Sequence, residues 1–239
     1  MRPITVVWAV TVLLLAAPAA AGACPNYAKV KSFHGYVLVD FHKTVSGPNG
    51  SGGTTTVTLD HSTSVIHFRK LTPLYIHAGP PGHRKKVLIG FRGRKAKGVM
   101  TVDDSYSDST SGASGTQTAD GHPRSRITLA LTSFGCVYDV VMSFEIATQT
   151  SGSFPSSPER GSLILAASPV RSIPANLTLK GSATVPLVNG ETPTSGYFDT
   201  WAPDGSWGAW ENAFENTLQS TGQPTPTAQI QWGFAPNKA

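Results

Sequence analysis

The chain has little cysteine and little charge. Two of its 239 residues are cysteine, and 14% are charged. Two cysteines cannot build a disulfide-dense miniprotein, and a chain that is 39% hydrophobic does not have the composition of a disordered protein. Only one apolar run, Ile4 to Ala17, approaches membrane-spanning length, and it is short. The composition therefore predicts a globular domain.

Recognisable catalytic motifs are also missing. The sequence has no Gly-x-Ser-x-Gly elbow, no His-Glu-x-x-His, no Walker loop and no dinucleotide fingerprint. The sequence therefore favours a protein without enzymatic activity and predicts no catalytic residue, metal ligand or cofactor. An unrecognised secreted hydrolase remains an alternative, because catalytic groups converge in space rather than in sequence.

The N-terminus has the three parts of a secretory signal. A cation at Arg2 precedes an apolar core, Ile4 to Leu15, and a small-residue stretch, Ala16 to Ala23. We therefore expect residues 1–23 to be removed and residues 24–239 to form the mature protein, without a transmembrane segment. The expected location is secreted, periplasmic or at the cell surface.

Two fates are open for Cys24, the first residue of the expected mature chain. In an oxidising compartment it would form a disulfide with Cys136 and close a loop of more than 100 residues. Alternatively, Ala21 to Cys24 resembles a loose lipoprotein signal, although Ala21 replaces the usual Leu or Val. The alternative is therefore a lipid anchor at Cys24.

Period-two alternation of apolar and polar residues runs through most of residues 24–239. From Phe33 to Phe41 the residues Phe33, Val37, Val39 and Phe41 share one face, a pattern typical of a half-buried strand. Many short strands separated by turns predict an all-β fold, an antiparallel β-sandwich or a related barrel. We expect one domain over 24–239, with 148–162 as the only candidate boundary inside it.

Three further elements can be placed from the sequence. Trp207, Trp210, Phe214 and Leu218 fall at helical spacing, which predicts one short C-terminal helix from Ser206 to Gln219, with Asp204 or Ser206 as N-cap. Residues 84–91 and 99–105 are predicted to pair as a hairpin with residues 92–98 as its tip. The Ser-, Gly- and Asp-rich segment 107–122 is predicted to be a surface loop.

Positive charge is concentrated in the first part of the chain. Residues 24–100 hold twelve Lys and Arg against Asp40 and Asp60, while residues 101–239 hold six against twelve acids. Such a cluster either attracts an anionic polymer outside the cell, or pairs with the acidic part of its own chain. No aromatic residues interleave with the tip cations, which disfavours nucleic acid. The anion-binding candidates are Arg84, Lys85, Lys86, Arg92, Arg94, Lys95 and Lys97.

The sequence contains residue types that bind metal ions. All seven histidines lie between His34 and His122. Asp40 and His42 could be joined by His61 or His67 from a neighbouring strand, but no spacing requires this, so ordinary exposed histidines are favoured. Four acids could bind calcium but are interpreted as solvated: Asp103, Asp104, Asp108 and Asp120.

Four of the five tryptophans lie in the C-terminal third of the chain. Flat aromatic side chains on a β scaffold can stack on sugar rings, so Trp201, Trp207 and Trp210 predict a glycan-binding module as an alternative function. Trp232, which alternates with Ile230 and Phe234, is expected in the core. The leading prediction is a binding or structural protein of the cell envelope that recognises an anionic polymer through its basic hairpin.

Overall fold

The structure, a computed structural model, describes residues 30–131, 137–153, 160–188, 196–201 and 208–238. Antiparallel strands dominate these residues. The elements are β1 (Val30–Pro48), β2 (Thr54–Thr63), β3 (Ile66–Ala78), β4 (Lys85–Arg94), β5 (Met100–Asp108), β6 (Ser114–Gly121), β7 (Arg124–Leu131), β8 (Val137–Gly152), β9 (Arg160–Ala167), β10 (Val170–Ser172), β11 (Leu179–Pro186), β12 (Phe198–Trp201), α1 (Ala209–Thr221) and β13 (Thr227–Lys238).

Several of these strands are segments of longer strands that bend. β2 and β3 lie end to end along one side of β1, since Asp40 pairs with Ser62 and Val37 pairs with Ile66. β5 pairs with β2 and β4 pairs with β3, so β4 and β5 lie end to end like the segments of one bent strand. In the same way β6 and β7 lie end to end, and both pair with β8. The chain from β1 to β8 is therefore an antiparallel meander of long strands, each returning beside the one before.

The sheet closes on itself. On one side it continues from β8 through β9 to β12, and on the other it continues from β1 through β13 to β11. A parallel bridge between Leu187, next to β11, and Phe198 in β12 joins these two edges. The Val188 N–H also donates to the carbonyl oxygen of Phe198 over 3.0 Å. The all-β antiparallel prediction is confirmed, and the bridge makes the sheet barrel-like.

The core lies inside the closed sheet and follows the predicted alternation. Phe33, Val37, Val39 and Phe41 are at most 1% exposed, whereas the neighbouring residues His34, Asp40 and His42 face outward. Trp232 is buried, as expected, and its indole Nε1–H donates to the Tyr138 hydroxyl over 2.9 Å. This bond satisfies a polar group that burial would otherwise leave unpaired.

Helix α1 packs against the inner face of β1 and β2. Three members of the predicted stripe are buried, namely Trp210, Phe214 and Leu218, and the fourth, Trp207, lies outside the described residues. The Phe214 ring lies 6.4 Å from that of Phe41. The predicted helix start is wrong, because the N-cap is Gly208 and not a serine or aspartate. Within the described residues, no helix is long and apolar enough to cross a membrane.

The predicted surface loop is also wrong in part. Residues 114–121 of the predicted surface loop form β6, a strand whose outward residues are polar. The candidate boundary 148–162 overlaps the end of β8 and the start of β9, which pair with each other in the same sheet from Met142–Ala167 to Gln149–Arg160. Segments rich in small polar residues therefore belong to strands here, because only one of their faces needs to be apolar.

Candidate functional site

The seven predicted anion-binding residues are all exposed, but they do not lie on the hairpin that the sequence predicted. β4 pairs with β3 and β7, and β5 pairs with β2 and β6, so residues 84–91 and 99–105 are not partners. The hairpin that exists joins β3 to β4 and carries Arg84, Lys85 and Lys86 near its turn. The other four cations are exposed farther along the chain, at the end of β4 and in the segment between β4 and β5: Arg92, Arg94, Lys95 and Lys97.

A fifth cation, Arg126, lies beside the cations of β4. Arg94 stands directly opposite Arg126 of β7, and both side chains are exposed. Like charges placed directly opposite each other on neighbouring strands destabilise a sheet. We call Arg92, Arg94, Lys95, Lys97 and Arg126 the basic surface. Sequence reasoning missed Arg126, because its position beside Arg94 depends on the pairing of β4 with β7.

The basic surface has no ion-pair partner among the described residues. The ion pairs among the described residues are His42–Asp60, His61–Asp104 and Arg124–Glu145, and none of them includes a residue of the basic surface. The alternative prediction, that the cations pair with the acidic part of the chain, therefore finds no contact within the described ranges. The charge of this surface faces solvent.

The β3–β4 hairpin presents apolar as well as basic side chains. Ile76 and Val87 are direct partners and are 46% and 41% exposed. The Lys86 ammonium lies 4.1 Å from the centre of the Tyr75 ring, a cation–π contact. This end of the hairpin therefore differs in chemistry from the basic surface, which is charged without exposed aromatic residues.

The tryptophans predicted to bind a glycan give little support to such a platform. Trp210 is 2% exposed, because it packs with helix α1 into the core. The backbone of Trp201 lies in β12, whereas its side chain, all of Trp207, and both Cys24 and Cys136 lie outside the described residues. The disulfide and lipid-anchor predictions remain predictions.

A cluster of ionisable side chains lies inside the barrel where α1 meets the sheet. It consists of His61 from β2, Asp104 from β5 and Glu211 from α1, which are 0%, 0% and 1% exposed. Each residue offers one potential metal-ligand atom, and these three atoms lie within 4.8 Å of one another. His61 Nε2 donates to Asp104 and lies 2.9 Å from Oδ1 and 3.0 Å from Oδ2.

Neighbouring strands hold the Asp104 carboxylate in place. The backbone N–H of Asp60 donates to Oδ1 over 3.0 Å, and the Gln117 amide donates to Oδ2 over 3.0 Å. Gln117 is positioned in turn by the Thr148 hydroxyl, 3.5 Å away. Asp104 therefore has charged or polar donors on both oxygens, as a buried carboxylate requires.

The cluster changes the proton affinities of its members. Burial and the negative charge of Asp104 raise the pKa of Glu211 from 4.5 to about 7, against the attraction of His61. Burial alone would lower the pKa of His61, but the charge and hydrogen bond of Asp104, with smaller contributions from Glu211 and Asp60, raise it above 6.5. Such paired shifts in buried groups are typical of functional sites.

Two polar atoms of the cluster have no hydrogen-bond partner within the described ranges. They are Nδ1 of His61 and Oε1 of Glu211, and both are inaccessible to solvent. A buried donor or acceptor left unpaired costs about 1–3 kcal/mol. An imidazole nitrogen and carboxylate oxygens form a donor set that could hold a divalent metal ion.

The interpretation of the histidines as ordinary exposed residues is wrong for His61, and the interpretation of Asp104 as a solvated acid is wrong as well. The other predicted metal candidates do not join this cluster. His42 bonds to Asp60 at the surface over 3.1 Å, and His67 lies beside Tyr36 with ring centres 6.4 Å apart. Glu211 was missed because 150 residues separate it from His61, and no local pattern links them.

An open cleft of about 620 Å³ lies between α1, the start of β2 and the end of β5. Tyr106, which lines this cleft, follows Asp104 by two residues on the same strand face. Asp108 also lines it, and hydrogen bonds from Ser111, Asn49 and Thr55 hold the pKa of Asp108 well below its usual range. Those bonds fasten the loops at the rim of the cleft.

Comparison of the chain with protein-family models, with curated proteins and with solved structures finds no match in any of the three.

Proposed function

We propose that the protein is an exported cell-envelope protein without enzymatic activity, and that it binds an anionic envelope polymer through the basic surface. The observation that carries this proposal is the pairing of Arg94 with Arg126 beside Arg92, with no ion-pair partner for any of them among the described residues. This arrangement costs stability in the free protein. A bound anion would relieve the repulsion.

The layout of these cations suits an extended ligand with repeated negative charges. Arg92 and Arg94 are exposed on one face of β4, and Arg126 stands next to Arg94 on β7. Guanidinium groups bind phosphate, sulfate and carboxylate through two parallel hydrogen bonds, which Lys cannot do. A linear polymer can contact several of these groups at once, and binding releases counterions from it.

A polymer is favoured over a membrane because of where the exposed apolar residues lie. Ile76 and Val87 belong to the β3–β4 hairpin and not to the basic surface. Insertion into the headgroup region of a bilayer needs apolar and basic residues on the same surface. The basic surface offers charge and hydrogen-bond donors only.

The test compares two charge-reversal variants with the same change in net charge. R92E/R94E alters the basic surface, and K31E/K180E alters two exposed lysines on β1 and β11. The probe is fluorescently labelled heparin, titrated with protein at low salt and followed by anisotropy, with uncharged dextran as the negative control.

We expect R92E/R94E to weaken heparin binding at least about tenfold and K31E/K180E to change it less than about twofold, because local contacts dominate over net charge. Equal losses in the two variants would contradict a specific surface, and so would unchanged binding in R92E/R94E. Binding to vesicles of anionic lipid without binding to any soluble polyanion would also overturn the proposal.

A further inference from the structure

The cluster of His61, Asp104 and Glu211 has the chemistry and the geometry of an ion site, independently of the basic surface. We propose that these three residues bind a first-row divalent transition-metal ion, with Zn²⁺ as the ion that fits them best. The ion would connect helix α1 to β2 and β5, because each element contributes one ligand.

The donor set selects the class of metal. One imidazole nitrogen and two carboxylate oxygens are ligands that Zn²⁺ takes in proteins, where three protein ligands and one further position are common. Ca²⁺ takes six to eight oxygen ligands, and Mg²⁺ keeps most of its own water molecules. A site with one nitrogen and two carboxylates inside an apolar barrel fits neither of these ions.

The distances are close to those of a bound state. Zn–N and Zn–O bonds of about 2.0–2.2 Å place tetrahedral ligand atoms about 3.3–3.6 Å apart. The three candidate atoms already lie within 4.8 Å of one another. Glu211 lies in the first turn of α1, where the N-cap is Gly208 and no side chain caps the helix. A small shift of that turn would complete the site.

An unpaired atom gives a second, independent indication of a ligand. Glu211 Oε1 is buried without a hydrogen-bond partner among the described residues. Native proteins leave few buried polar atoms unpaired, and a bound ion is one of the standard explanations for those that remain. One cation at the centre of this cluster would engage Glu211 Oε1, and it would be bound by His61 through Nε2, the nitrogen that faces Asp104.

The surroundings of the cluster resemble the support that metal ligands require. The Asp60 backbone and the Gln117 amide already orient Asp104, as outer hydrogen bonds do for metal-binding carboxylates. On the other side, the rings of Phe198 and Phe214 pack against Phe41, which lies 6.1 Å from the His61 ring. An apolar wall of this kind excludes water and strengthens the attraction between the ion and its ligands.

The experiment uses the full mature chain after removal of metal with a chelator. Zn²⁺ binding is measured by isothermal titration calorimetry at pH 7.5, with Ca²⁺ and Mg²⁺ titrated separately. Three variants are compared with the unchanged protein: E211Q, D104N and the control H42Q, which removes an exposed histidine outside the cluster. Circular dichroism and thermal melting in chelator establish that each variant is folded.

We expect one Zn²⁺ per chain and a higher Tm in Zn²⁺ than in chelator, because an ion that binds only the folded state stabilises it. E211Q should bind Zn²⁺ at least about 100-fold more weakly, H42Q should bind as the unchanged protein does, and Ca²⁺ and Mg²⁺ should not bind. E211Q keeps the size of the side chain, so it tests the ligand even if D104N does not fold.

Three results would overturn the proposal. They are a folded protein that binds no Zn²⁺, a folded E211Q that binds it with unchanged affinity, and loss of binding in H42Q alone. A tetrahedral Co²⁺ spectrum with nitrogen and oxygen ligands that disappears in E211Q would identify the site directly.

Discussion

Glu211→Gln should stabilise the metal-free protein above neutral pH, although most substitutions of buried residues destabilise. Burial and Asp104 raise the pKa of the Glu211 carboxyl from 4.5 to about 7. The folded protein therefore binds this proton more tightly than the unfolded chain does. Such a group stabilises the fold fully below pH 4.5, and the stabilisation is lost as pH rises through 7.

The size of the effect follows from the shift. A difference of about 2.5 pKa units corresponds to about 3 kcal/mol at 1.36 kcal/mol per unit. His61 acts in the same direction, because its raised pKa gives stability that is present below 6.5 and lost above the folded pKa. The unchanged protein should therefore lose stability from pH 5 to pH 8.

The amide introduced by E211Q carries no proton to lose in this pH range, so the pH dependence should become much shallower. At pH 5 the variant should match the unchanged protein within about 1 kcal/mol, because a neutral carboxyl and an amide differ by little more than one hydrogen bond. At pH 8 it should be more stable by up to about 3 kcal/mol, the free energy that corresponds to the pKa shift. Urea unfolding in the presence of chelator, followed by tryptophan fluorescence between pH 5 and pH 8, measures both quantities.

Glu215→Gln is the matched control. Glu215 lies one turn later on α1, is partly exposed, and accepts a hydrogen bond from Gln219 over 3.0 Å. This variant should leave the pH dependence unchanged. The reasoning would be refuted if E211Q were less stable than the unchanged protein by the same margin at every pH.

Two further predictions concern packing and backbone strain. Tyr138→Phe removes the hydroxyl that accepts the Trp232 indole hydrogen bond in the core, so the free energy of unfolding in urea should fall by about 1–3 kcal/mol. An unchanged urea midpoint would mean that this bond contributes nothing to stability. Lys95 has a left-handed φ of 62° at the bend between β4 and β5, so Lys95→Gly should raise the stability by about 1 kcal/mol while it weakens heparin binding. Lower stability in that variant would show that Lys95 is not strained.

The fold class could be predicted from the sequence because the strands alternate with period two. The inward set from Phe33 to Phe41 and the outward histidines beside it need no knowledge of strand partners. The pairing of 84–91 with 99–105 failed for a physical reason. Gly93, Gly98 and the cations between them look like the tip of a hairpin, but here the chain bends at Lys95 and continues from β4 to β5.

The candidate sites could be predicted only in part. The cations of β4 were identified from charge alone, whereas Arg126 needed the β4–β7 register. In β2, His61 shares the core-facing side with Leu59 and Thr63, whereas the sequence alone favoured an exposed histidine. That position becomes an ionisable cluster only when the closed sheet and α1 bring Asp104 and Glu211 to it, and contacts over such separations leave no local pattern in a sequence.

Chemical-shift mapping tests the central claim most directly, namely that the basic surface is where an anionic polymer binds. Labelled protein would be titrated with a short heparin oligosaccharide at low salt, and the backbone amide shifts would be followed. The account predicts that the shifts concentrate at Arg92, Arg94, Lys95 and Arg126 and disappear at high salt, as counterion release requires. Shifts concentrated at the cleft beside α1, or no shifts at all, would contradict it.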